Sequence, residues 1–469
     1  MYRHIDEEII LKNLSSLEDK AKQIYLNTYE PTIHEIKNIN MDILNFIKEK
    51  KRIIYGGYAQ NEFIKIKNKD GGFYKETDLS DIEFYSPDPI GDTIDLVDLL
   101  YKKNYKYIEG KEGVHPETYK IFVNFINYCD ITYMPEIIYK NCPKKEIDGL
   151  IFTHPHFMLI DAYRVYSDPM TSYFRLTKTF TRFNKLMYYY PLNEDMLYYK
   201  VHNNNIGATQ QIDPLGHIDQ KGHINNNNIL HFIRHKIIMT TGLNSKLIVI
   251  GQYAFNQLMK ISKAPETYLI DCSFYQIISI DYNNDIEKIQ NIMKKEYPNI
   301  KIKKYAPFFQ FLDKSTEFYI NDNLILRVYA SNDRCIVYRK SDKKKTYFGT
   351  YQLIFMYNLI QYNINKIKNN NTQSDNDINS STYGSMLIRM MKARDKYLEN
   401  THKTVLDKTI FQEFTMNCIG EPKDLLRESF LIAKKKRDQG KLAKFLYKPT
   451  GQPGKKPQFK FNNSSGEIL

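Results

Sequence analysis

Two stretches of the chain, Arg52-Ile-Ile-Tyr-Gly-Gly-Tyr-Ala-Gln-Asn61 and Leu247-Ile-Val-Ile-Gly-Gln-Tyr-Ala-Phe-Asn256, share one pattern: an apolar run, Gly, any residue, Tyr, Ala, any residue, Asn. A short apolar run reads as a buried strand, the glycine breaks it, and the segment that follows is compatible with a helix. The same order of signals comes after each copy. A strand-like run (through Asp81, and Tyr275 to Ile280) precedes a helical stretch (Ile94 to Lys103, and Ile286 to Lys295), and a further strand lies around Asp130 or around Arg327. Shared order on this scale marks a duplicated unit. The pattern restricts the chain to two domains that each mix strands with helices, an α+β class.

Only the first copy carries acids at its strand positions. Asp81 and Glu83 alternate with Ile82 and Phe84, so an extended chain puts both carboxylates on one face and the apolar pair on the other. Like charges that close raise each other's pKa, and a hard divalent cation between them removes the cost. Asp130 interrupts a β-prone run containing Phe122, Val123, Phe125 and Ile126. If its strand lies beside that of Asp81, three carboxylates converge on one edge, enough to hold two Mg2+ ions about 4 Å apart for in-line phosphoryl transfer. Gly56 and Gly57 let the backbone pass close to a ligand, and N–H groups at the helix start can face phosphate oxygens. Taken singly, the glycines also fit a plain tight turn and the acids a solvated strand face.

Strand, Gly-Gly, helix, Asp-x-Glu on a strand and a later Asp on another strand together resemble the DNA polymerase β-like nucleotidyltransferase superfamily. Within it, the chain resembles the catalytic subunits of viral poly(A) polymerases of the poxvirus and giant DNA virus type. The segment Asp161-Ala-Tyr-Arg-Val-Tyr-Ser-Asp-Pro169, followed by Arg175, Lys178, Arg182 and Lys185, is similar to that viral group. The resemblance implies a nucleotidyltransferase mixed sheet with helices and template-independent transfer of AMP from ATP to an mRNA 3′ end. It further implies a Mg2+- or Mn2+-dependent two-metal site of Asp81, Glu83 and Asp130, with Gly56, Gly57, Lys178 and Arg182 on the nucleotide. A homodimer is compatible with it. The chain departs from the superfamily in an insertion between Gly57 and Asp81, containing Lys65, Lys67, Lys69 and Asp70-Gly-Gly72, and in a Glu as the second acid. Other nucleotidyltransferases (uridylyl, CCA-adding or oligoadenylate type) and a non-catalytic RNA-binding scaffold are the alternative readings.

Asp81 lies 25 positions after Gly56, and Gln276 lies 25 after Gly251, which sets Gln276 against Asp81, Ile278 against Glu83 and Arg327 near Asp130. The second copy then reads as a degenerate nucleotidyltransferase-like domain that has lost its metal ligands.

The expected organisation is a helical lead-in (1–50), the catalytic domain (51–200), a polar linker (201–235), the degenerate domain (236–365), a disordered loop (366–382), a helical segment (383–432) and a flexible basic tail (433–469). Asp92, Asp95 and Asp98 read as the solvated face of a helix. The formal charge is +13, from 67 Lys and Arg against 54 Asp and Glu, which suits a polyanionic partner such as RNA. Five scattered cysteines without a CxxC pair point to a reducing compartment, and no apolar run is long enough to span a membrane. These features place the protein in the cytoplasm.

Overall fold

Strand β1 (Ile53–Tyr55) is buried at Ile53 and Ile54 and ends at Gly56, whose φ of +69° is open to glycine at little cost. The computed structural model describes residues 3–29, 31–74, 78, 80–193, 226–241, 247–331, 334–341, 346–372, 378–421, 424–441 and 444–449. These fall into two compact units, one comprising Met1–Tyr139, Lys144–Pro155 and Asp424–Lys460, the other Lys140–Pro143, His156–Lys423 and Phe461–Leu469.

After β1 come β2 (Ile82–Ser86), β3 (Glu109–Glu112), β4 (Thr118–Val123), β5 (Ile126–Tyr133), β6 (Lys144–Ile147) and β7 (Leu150–Thr153). The second unit supplies β8 (Ile248–Ile250), β9 (Tyr275–Ser279), β10 (Lys301–Tyr305), β11 (Ser315–Ile320), β12 (Asn323–Ala330), β13 (Ile336–Lys340), β14 (Tyr347–Gly349) and β15 (Cys418–Ile419). The last strand, β16 (Leu446–Tyr447), returns to the first sheet.

The sheets run β16-β3-β4-β5-β2-β1-β7-β6 and β10-β11-β12-β9-β8-β14-β13-β15. Apart from β16 and β15, the two orders correspond strand for strand. Orientation corresponds too: β2 with β5, β9 with β12, β1 with β7 and β8 with β14 are parallel, and the remaining shared neighbours are antiparallel. Each sheet is thus mixed, and the architecture is α+β.

Helices cover the sheets by ordinary amphipathic spacing. Helix Ile33–Glu49 starts where Thr32 accepts the Glu35 N–H at 3.4 Å, and it buries Ile36, Ile39, Ile43, Phe46 and Ile47. Helix Pro89–Lys102 has Pro in its first turn and Asp88 accepting the Gly91 N–H at 3.0 Å. In the second unit, helix Tyr351–Thr372 is buried along most of its length, including Gln352, Asn358, Gln361 and Asn363.

Several expectations need correction. Asp92 is not solvated: it is 2% exposed and accepts from Arg52 at 2.6 and 2.9 Å and from Ser86 Oγ at 2.5 Å. The helix pattern places it correctly, but Arg52, forty positions away in sequence, turns a surface charge into a buried pair. Asp95 meets Lys50 and Asp98 accepts from Tyr447.

Much of the expected loop at 366–382 is helical, since Tyr351–Thr372 and Ile378–Thr401 run into it and only 373–377 lie outside the described residues. Of the expected linker, 201–225 lies outside them, and 226–232 is helical. The expected flexible tail begins inside helix Leu425–Asp438, where Asp424 accepts the Arg427 N–H at 3.0 Å, Glu428 sits in the first turn, and Lys435, Lys436 and Arg437 sit in the last. Acids at the start and bases at the end favour a helix through its dipole. Residues 450–469 of that tail lie outside the described residues. Cys335 and Cys418, expected as separate thiols, form a disulfide beside the β13–β15 pair. Their separation of 83 residues hides the pairing from a local reading.

Candidate active site

The acid-bearing strands are neighbours, since β2 and β5 pair in parallel with Glu83 in register with Asp130. Antiparallel pairing of β1 with β2 sets Tyr55 opposite Glu83, and pairing of β4 with β5 sets Lys120 opposite Asp130. The residues Tyr55, Glu83, Asp130 and Lys120 thus form one row across four strands. Ile82 and Phe84 are buried, Glu83 and Asp130 are half-buried, and Asp81, just ahead of β2, is exposed. This is the alternation expected from the sequence.

Each half-buried acid has defined partners. Asp130 accepts from Lys120 Nζ at 2.7 and 2.6 Å, one bond to each oxygen, and from Asn127 Nδ2 at 3.0 Å. Glu83 Oε2 accepts the Gly57 N–H at 2.8 Å, so the carboxylate caps helix Gly56–Lys67. A Cβ on Gly56 would lie 1.7 Å from that same oxygen, so glycine is required for the approach. The charges of all three acids reach Cys129, whose thiol is pushed well up, first by complete burial and then by Asp130, Asp81 and Glu83.

Among the described residues, no group of three or more His, Cys, Asp or Glu side chains is drawn together as a metal site. The donor set nevertheless suits a hard cation. Two carboxylates on adjacent strands share a row, a third lies two residues from one of them, and Asp130 already holds a cationic head on both oxygens.

Lys178 and Arg182 lie on helix Leu176–Tyr189 of the second unit, Lys178 exposed and Arg182 half-buried. The structure therefore brings Gly56, Gly57, Glu83 and Asp130 together within one unit, with Asp81 at its strand entry.

Two contributors went unrecognised in the sequence. Lys120 has no local signature, and only strand register reveals it. The Asn of the shared motif did recur: Asn61 Oδ1 accepts from the N–H groups of Phe73 (2.9 Å) and Tyr74 (3.3 Å), as Asn256 Oδ1 does from Ile270 (3.1 Å). In both units it ties the helix to the loop returning toward the second strand.

The second sheet has the same row with other chemistry. Gln276 pairs with Ile250 and Arg327, as Glu83 pairs with Tyr55 and Asp130. Gln276 therefore corresponds to Glu83, and not to Asp81 as counting from the glycine suggested. The loops before the two strands differ in length, so equal spacing from the glycines does not mean equal register. Arg327 stands at the position of Asp130, as expected. Glu317, opposite Arg327, stands at that of Lys120, so the pair recurs with its charges exchanged: Arg327 Nε lies 2.6 Å from Glu317 Oε1. Gly251 repeats Gly56, with φ of +65° and a would-be Cβ 1.9 Å from Gln276 Oε1.

A family described as "Poly(A) polymerase catalytic subunit" matches residues 41–172, and one describing the C-terminal part of the APMV poly(A) polymerase catalytic subunit matches residues 220–469. A poly(A) polymerase catalytic subunit of Acanthamoeba polyphaga mimivirus is 32% identical over 96% of this chain and 78% of its own length. One of African swine fever virus is 27% identical over 36% of this chain and 37% of its own. The crystal structure of the Megavirus polyadenylate synthase superposes with a TM-score of 0.86 at 30% identity, covering 100% of this chain and 93% of that one. The protein belongs to the viral poly(A) polymerase catalytic subunits, which are polynucleotide adenylyltransferases.

Proposed function

We propose that the row of Glu83 and Asp130, with Asp81 at its end, catalyses the transfer of AMP from ATP to the 3′-OH of an RNA without a template. The observation that carries this reading is the Glu83–Asp130 register on adjacent parallel strands, set against a helix start that only glycine can form. The 3′-oxygen attacks the α-phosphorus, the bond to the bridging oxygen breaks, and pyrophosphate leaves. Asp81 and Glu83 would hold two Mg2+ or Mn2+ ions, and Asp130 would share the one nearer the 3′-OH. Bound there, such ions supply activation of the hydroxyl and neutralisation of the leaving charge.

The chain's own groups do the positioning. Lys120 orients Asp130 by bonding both of its oxygens. When Glu83 turns its carboxylate to a cation, the Gly57 N–H becomes available to a phosphate oxygen. Lys178 or Arg182 would neutralise the leaving pyrophosphate. ATP and RNA are the substrates of this reading, a homodimer is its assembly, and the host cytoplasm, viral factory or virion is its location. No helix among the described residues is long and apolar enough to cross a membrane.

Asp81→Ala and Asp130→Ala should each abolish primer extension with ATP while RNA binding persists, because a lost ligand charge is not replaced by the remaining acids. Extension near the wild-type rate in Mg2+ by either variant would refute the site. Supplying each NTP separately to the wild type tests the choice of nucleotide.

A further inference from the structure

The second unit contains a cavity of about 850 Å3 that opens to solvent, within the size range of ligand pockets. It lies toward the β13 and β14 side of the sheet, and neither Gln276 nor Arg327 lines it. Its lining is chemically one-sided. Arg234, Arg339, Lys340 and Lys408 contribute cations, and no Asp or Glu is among the described lining residues. Aromatic faces alternate with the cations: the Arg234 guanidinium lies 5.4 Å from the Tyr253 ring centre and that of Arg339 lies 5.1 Å from Phe348. Tyr338 and Tyr397 complete the lining.

Cations without counter-charges focus a positive field and attract anions. Aromatic faces between them accept bases by stacking, which is how single strands are held without sequence readout. Free ATP enters proteins with Mg2+, whose ligands are carboxylates, and this cavity lines none. A phosphodiester carries one charge per nucleotide and needs no such ligand. We infer that the cavity is a subsite for a short segment of single-stranded RNA, separate from the acid row. That the RNA is this enzyme's substrate rests on the polyadenylation reading above.

The test measures binding of a labelled oligoadenylate of about 15 nucleotides, long enough for one single-strand site, to the full chain across a salt series. The variant is Lys340→Gln with Lys408→Gln, both exposed positions, with its melting temperature checked against wild type. Loss of two phosphate contacts should flatten the slope of log K against log salt by about 1.4, at roughly 0.7 per contact on single strands. A 4-thiouridine oligonucleotide should crosslink to peptides containing Tyr338 or Tyr397. An unchanged slope together with crosslinks elsewhere would overturn the subsite. So would loss of ATP binding in the variant with RNA binding intact, which would assign the cavity to free nucleotide. Wild-type extension is assayed in parallel, because a wild type that adds no AMP would instead defeat the polyadenylation reading.

Discussion

Glu83 and Gln276 hold the same position in two sheets of matching topology, the first between Tyr55 and Asp130, the second between Ile250 and Arg327. One is a carboxylate and the other an amide, so the second row lacks the charge for cation chemistry. Gln276→Ala should leave AMP addition intact and cost about 1 kcal/mol of stability, the value of its hydrogen bond to the Tyr329 hydroxyl. Primer extension together with thermal melting checks both halves of the prediction, and a collapse of turnover would contradict it.

The two positive-φ glycines should separate chemistry from stability. An added methyl at Gly56 collides with Glu83, and one at Gly251 collides with Gln276. Both Gly56→Ala and Gly251→Ala should lose about 1–3 kcal/mol, the usual cost of a strained backbone position. Only Gly56→Ala should also lose extension in proportion beyond the folded fraction, because only there is a carboxylate displaced. Equal effects on rate per folded molecule would argue against Glu83 as a site residue.

The exchanged ion pair offers a double-mutant cycle. Arg327 is 8% and Glu317 2% exposed, and Arg327 also donates to Gln361 Oε1 at 3.0 Å and the Tyr329 hydroxyl at 3.3 Å. Removing one partner strands a buried charge and should cost about 3–5 kcal/mol, whereas Arg327→Met with Glu317→Leu should cost far less. Denaturant unfolding of the three variants reads the coupling directly. Near-additive single losses would mean the pair is more hydrated than its burial suggests.

His156 supplies a pH dependence. Burial pushes its imidazole down to about 4 from an ordinary 6.5, and its Nε2 lies 3.1 Å from the Tyr190 carbonyl oxygen. Because the folded pKa is the lower one, protons bind preferentially to the unfolded chain between these values. Its contribution is therefore complete above about pH 6.5 and is lost as pH falls toward 4, by on the order of 3 kcal/mol. His156→Gln should flatten the stability profile in that window, and an equally steep profile in the variant would assign the acid sensitivity elsewhere.

The sequence by itself determined the features that depend on neighbours along the chain. The apolar run into Gly56, its repeat at Gly251, the Asp81–Glu83 alternation and the helical spacing after them are local patterns, and local sterics and burial turn them into strand, turn and helix. The order of these patterns also announced two related α+β domains. Tertiary structure alone decided what faces what. Lys120 meets Asp130, Arg52 buries Asp92, Cys335 reaches Cys418, and Gln276 takes the register of Glu83 through hydrogen-bond ladders between distant segments. In a sheet, moving the register by one residue turns every side chain to the other face. Counting along the chain does not measure register, because loops of different length consume residues without moving the strand.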